Sequence, residues 1–118
     1  MSRSILLQLA RDSIAEVLEA KKTIDSQSLL SQHPLLNEII SATVNIYIDN
    51  ELRGNCLKAE NSLLYNIVIA SKKAAFEDAN FSPMTTSEYL HCEIEIILET
   101  QDGVMSERDK AILKPNSL

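Results

Sequence analysis

The chain has little of what loops, metal centres and membranes need. Only two glycines and three prolines occur in 118 residues, so linkers and low-complexity tracts are excluded. Only two cysteines occur, Cys56 and Cys92, and neither belongs to a metal-ligand spacing; an isolated pair without a signal peptide reads as free thiols in a cytoplasmic protein. No long hydrophobic run is present. Ile5-Leu6-Leu7 is interrupted by Gln8 and then Arg11-Asp12, too short for a signal core or a membrane span. Basic charge is scarce as well: eleven Lys and Arg face seventeen Asp and Glu, for a net charge of −6 and a pI near 4.8. Phosphate binding needs a concentrated cationic face, so a nucleic-acid role is not expected. The pairs Lys21-Lys22 and Lys72-Lys73 read as solvated helix faces.

What remains is an ordinary globular composition, 45% apolar and 24% charged, in a chain long enough for one domain with one core. Ser4 can cap a first helix that buries Leu6, Leu9, Ala10, Ser13, Ile14, Val17 and Leu18; Arg11, Asp12, Glu16 and Glu19 fall off that face. Residues 28–32 suit a short helical turn ahead of Pro34, and 35–40 are ambiguous between helix and strand. Segment 42–48 is a β-branched strand with Val44, Ile46 and Ile48 on one face. Asp49-Asn50-Glu51 suit a tight turn, so the chain should return antiparallel from Leu52. Asn61-Ser62 then cap a second long helix to about Asp78, whose small residues Ala70, Ser71, Ala74 and Ala75 would let it lie close to a sheet. Segment 89–100 alternates as a one-side-buried strand through Cys92, Ile94, Ile96 and Leu98. Beyond Asp102-Gly103 the chain is polar, with a short turn expected near 107–112 and an ordered core from about 3 to 100. Helix, hairpin, helix, strand is an α+β order: an antiparallel sheet with helices packed against it.

Arg53-Gly54, at the mouth of the hairpin, is the most informative pair. A glycine there marks close approach of backbone or ligand, and the planar fork of an arginine holds two oxygens at once. The alternative for Arg53 is pairing with a structural acid such as Asp78 or Glu77, and for Gly54 a packing contact with the second long helix. Cys56 as a nucleophile would need a thiolate, with Lys58 and Arg53 as its nearest cations. A structural strand cysteine is the favoured reading, and a core cysteine is favoured for Cys92. His33 and His91 show no ligand pattern, His91 being placed at a strand start. Glu93, Glu95 and Glu99 read as a solvated sheet face, and no metal or cofactor is expected. Asp78 suits a turn, accepting backbone N–H bonds.

Three segments together resemble the AMMECR-type domain, an intracellular family. Leu9-Ala10-Arg11-Asp12-Ser13-Ile14 is similar to its N-terminal Leu-Ala-Arg-x-Ser-Ile helix. Leu52-Arg53-Gly54 matches the first half of the signature Leu-Arg-Gly-Cys-Ile-Gly, and residues 74–83 are similar to its Ala-Ala-Phe-x-Asp-x-Arg-Phe-x-Pro segment. Glu93-Ile94-Glu95-Ile96 fits the strand that follows. The chain departs from the pattern at Asn55, which takes the cysteine position, at Cys56 and Leu57, and at Asn80 in place of arginine. The thiol has moved one place along, which in a strand turns it to the other face. The family's later hairpin and Leu-Pro-Gln stretch are missing: Leu118 falls about where they should begin, so the domain reads as shortened, either a truncated piece or a degenerate paralogue.

The resemblance implies an antiparallel sheet with helices against it, in two subdomains. It also implies association with a Memo-like protein or a radical S-adenosylmethionine enzyme, the AmmeMemoRadiSam arrangement. Two functional readings result. One is a non-catalytic accessory module, docking a partner or a second copy through the sheet edge beyond Glu99. The other is an enzyme for a small anionic or nucleotide-like substrate, with Arg53 as clamp, Gly54 giving access, Asn55 or Cys56 adjacent and Asp78 nearby in one pocket.

Overall fold

The computed structural model describes residues 4–112. Helix α1 spans Ile5–Glu19, started by Ser4, whose hydroxyl accepts the Leu7 N–H, and ended by Ala20 in the left-handed conformation at φ 54°. A short α2, Ser26–Gln32, and a 3₁₀ turn, Pro34–Asn37, lead into strand β1, Ser41–Ile48. Strand β2, Glu51–Lys58, returns through Asp49 and Asn50 at φ 52° and 65°, a two-residue turn whose twist suits a hairpin. Helix α3, Leu63–Phe76, and the short α4, Thr86–His91, precede strands β3, Glu93–Thr100, and β4, Gly103–Arg108. The strands form one antiparallel sheet in the order β2-β1-β3-β4. This is the expected α+β architecture.

Helix α3 packs on β1 and β2, while α1 lies beside α3 and reaches β3. The core sits between this helical layer and one face of the sheet. Ala42, Val44, Ile46, Cys92, Ile94, Ile96 and Leu98 meet Leu7, Ala10, Ile14, Leu64, Ile67, Ala70 and Ala74 there. The other face carries a hydrogen-bonded row instead. Asn55 donates to Asn45, and both Asn45 and Tyr47 donate to Glu95 Oε1; that carboxylate holds the phenol above its ordinary range.

Four local expectations need correction. Arg11 and Glu16, expected off the buried face of α1, are only 1% and 7% exposed, whereas Val17 is 46% exposed. Both ions are buried because both are fully engaged. Glu16 takes the Thr23 and Ile24 N–H groups and Lys72 Nζ at 3.0 Å. Residues 89–91 belong to α4 rather than to a strand, because Thr85 and Glu88 close a capping box that starts a helix. His91 therefore ends a helix, its Nδ1 bonded to the Ser87 carbonyl at 2.8 Å. The stretch after Gly103 is a strand up to Arg108; positions 113–118 of the expected tail lie outside the described residues. Finally, Ser62 makes no capping bond. The buried Asn66 closes that corner instead, accepting the Asn61 N–H and donating to the Asn61 and Ile40 carbonyls.

Candidate functional site

The site starts from a defect in the hairpin ladder. Ile46 faces Gly54 and Tyr47 faces Leu52, so Arg53 is the extra residue of a β-bulge. A bulge re-aims one side chain and breaks strict alternation. As a result Arg53 and Gly54 are both buried on consecutive positions, which a regular strand would not permit. Gly54 is the packing contact: a Cβ built there would stand 2.1 Å from the carbonyl oxygen of Ala74 in α3.

Arg53 runs out under the 78–91 segment. Its Nε and Nη2 meet Glu88 Oε2 and Oε1 at 2.9 and 3.1 Å, a two-point fork. Nη2 also donates to the Ser82 carbonyl at 2.6 Å, and the guanidinium lies 5.0 Å from the centre of the Phe81 ring. The acid is thus Glu88, not Asp78 or Glu77. The spacing Thr85-x-x-Glu88 marks the start of α4, and only the fold brings that glutamate to Arg53. Nη1 of Arg53 is buried with no hydrogen-bond partner.

Asp78 serves the neighbouring edge. Its Oδ2 accepts the Asn55 N–H at 3.1 Å and its Oδ1 accepts the Asn80 N–H at 2.9 Å, so one carboxylate fixes the turn and seals the outer side of β2. Asn55 itself is exposed on the open sheet face. Cys56 is opposite Val44, on the helix side, and burial pushes its thiol up despite Lys58 and Lys73. Cys92 is likewise raised by burial, against the pull of Arg11. Both thiols stay protonated at neutral pH and are poor nucleophiles in that form.

The five candidates therefore gather along β2 and the end of α3. An open cleft of about 350 Å³ lies beside them, lined by Ile48, Asp49, Ser87, Glu88 and His91. Arg53 and Asp78 are not among the residues that line this cleft. Glu88 is the shared element: one carboxylate walls the cleft and closes the fork of Arg53. Among the described residues no group of three or more His, Cys, Asp or Glu side chains could hold a metal ion, and no helix is long and apolar enough to cross a membrane.

The Glu88 carboxyl is held below its ordinary value of 4.5, first by the Arg53 hydrogen bonds, with Thr85 adding to them and burial opposing. A carboxyl depressed by folding stabilises above its unfolded value, and that contribution disappears as pH falls through the folded value. Glu88→Gln should therefore cost stability at neutral pH. The gap from the parent protein should narrow below about pH 4.5, as followed by urea unfolding across the acid range. A gap that stays constant to the lowest pH would show that the carboxylate charge is not what closes the fork.

Comparison with known proteins bears on the fold and the family. The crystal structure of the uncharacterised protein PH0010 from Pyrococcus horikoshii superposes with a TM-score of 0.69 at 25% identity, covering 79% of this chain. The chain spans 48% of the length of that protein. No curated protein matches. The AMMECR1 family profile matches residues 7–115, from the first turn of α1 past the end of β4 and through the bulged Arg53-Gly54, and the chain belongs to the AMMECR1 family.

Proposed function

We propose that the chain is a binding module that works with a protein partner rather than by its own covalent chemistry. The observation that carries this reading is the closed fork of Arg53. The one buried cation of the signature segment is engaged by Glu88 and the Ser82 carbonyl, where it holds α4 and the 78–85 turn against the hairpin. Such an arrangement shapes a surface. The cleft between the Asp49 turn and α4 is a recessed part of that surface, with Ile48 as an apolar lining residue and Asp49, Ser87 and His91 as polar groups.

The partner classes are those implied by the family resemblance, a Memo-like protein or a radical S-adenosylmethionine enzyme. The test is calorimetric titration of the 118-residue chain into each purified candidate. One of them should bind, and Arg53→Met, which frees α4, should weaken that complex by about tenfold or more. Absence of binding to both would overturn the reading. One feature favours a second reading, an anion-binding enzyme: Arg53 Nη1 is a buried donor without a partner. If that reading holds, inorganic phosphate or a nucleotide should shift the NMR signal of the Arg53 side chain, and Arg53→Lys should weaken the binding of that anion in calorimetric titration.

A further inference from the structure

The Glu88 carboxylate occupies a seat built for an anion. Three N–H donors converge on it: Arg53 Nε at 2.9 Å, Arg53 Nη2 at 3.1 Å and the Thr85 backbone N–H at 3.0 Å. The cation of that seat is fixed. Its side chain is only 9% exposed, Nη2 is also held by the Ser82 carbonyl, and the Phe81 ring lies against the guanidinium. The occupant is held less firmly. The Glu88 side chain is 34% exposed, and no residue of the six-residue helix that carries it is buried. The buried Met84 and the Tyr89 carbonyl, bonded to Arg11, anchor the backbone on either side of Glu88. Its side chain can therefore turn away while the seat keeps its shape.

Glu88 also walls the cleft of about 350 Å³, a volume suited to a small molecule. Rotation of its side chain opens the seat to that cleft. A planar carboxylate reproduces what Glu88 itself presents, two oxygens on one edge of the guanidinium. Asp49 lines the same cleft and adds a like charge, which favours a singly charged ligand over a dianion.

We propose that Glu88 is a built-in competitor: its carboxylate holds the place of a small free carboxylic acid, which enters from the cleft and takes the Arg53 fork when the Glu88 side chain turns out to solvent. One anion replaces another at an unchanged seat, with no covalent step. Because the competitor sits on the same chain, its effective concentration is high, and the free acid binds weakly while Glu88 is present. The inference rests on the reading of Arg53 as an anion clamp, and it names the ligand class of that clamp and its occupant at rest.

Acetate is the probe, with chloride at equal ionic strength as the control. In Glu88→Ala, acetate should bind saturably, raise the melting temperature and shift the Arg53 Nε–H signal. Its affinity should exceed that for the parent chain by about tenfold or more. Adding Arg53→Met should remove the response. Glu88→Gln, which can still close the capping box, makes the same comparison should the alanine variant not fold. An acetate response no stronger than in the parent chain, or one that survives Arg53→Met, overturns the inference. The two failures are distinguishable. If phosphate reaches Arg53 in the parent chain while loss of Glu88 brings no gain for acetate, the clamp stands and the competitor falls. A gain for acetate in Glu88→Ala, with no phosphate or nucleotide response in the parent chain, keeps the competitor and removes the enzyme reading.

Discussion

Gly54→Ala should destabilise the protein by about 3 kcal/mol or more and lower its melting temperature by roughly 10 °C. The new Cβ would stand 2.1 Å from the Ala74 carbonyl oxygen, far inside van der Waals contact. That oxygen is backbone, in the last turns of a fourteen-residue helix, so it cannot rotate away. Relief requires α3 to lift from β2, or β2 to slide, and each movement loses contacts of Ile67, Ala70 and Ala74 in the core. Two controls sharpen the expectation. Ala74→Gly should not rescue the variant, because the obstructing atom is not in the side chain. Gly103→Ala should cost less: nothing lies within 4 Å of a Cβ there, and only its φ of 129° resists substitution. Urea unfolding of the three variants would decide the matter. A loss below about 1 kcal/mol in Gly54→Ala would mean that the layers are not in hard contact.

Arg11→Met should cost about 3–5 kcal/mol, the range for breaking a buried ion pair on one side. Arg11 is 1% exposed, and its guanidinium is almost completely enclosed by acceptors. Nε donates to Asp109 Oδ2 at 2.8 Å, Nη2 to the Cys92 carbonyl at 2.6 Å, and Nη1 to the Tyr89 carbonyl at 2.9 Å. The Tyr89 ring lies 5.2 Å from it. One side chain thereby joins the first helix, the end of α4, the start of β3 and the end of β4. Asp109 is equally committed, since its Oδ1 also accepts the Ile94 N–H at 2.7 Å. Removing the cation leaves a carboxylate buried beside apolar strands. Asp109→Asn together with Arg11→Met should therefore cost less than the sum of the two single changes, because the pair of neutral residues leaves no bare charge and asparagine can still accept from Ile94. Additive losses in thermal unfolding would show that the two residues do not act as a unit.

Both results concern residues that the sequence marked but whose roles it could not assign. Arg11 lies in the Leu-Ala-Arg segment, yet helical periodicity placed it off the core, because a charged residue counts as polar in any such reading. Its partner Asp109 is 98 positions away, in a stretch with no local signal for burial. Strand β4 was missed for a similar reason. Gly103-Val104-Met105-Ser106-Glu107-Arg108 is an edge with most of its residues exposed, so no alternation of buried and polar residues is written into it. The β-bulge is the third case: it depends on pairing with β1, and the residues of β2 alone do not announce it.

The local order of this protein was determined by sequence. Apolar spacing made α1 and α3, β-branched alternation made β1 and β3, and Asp49-Asn50 made the hairpin turn, because each depends on residues within a few positions of one another. Thr85 and Glu88 specified α4 in the same way, through a capping box readable at that spacing. Tertiary structure alone decided which acid meets Arg53, which ion pairs are buried, and that Gly54 is filled by the Ala74 carbonyl rather than by a ligand. Those outcomes depend on contacts between distant segments, where burial sets how strongly charges interact and where a single added residue in a ladder redirects a side chain.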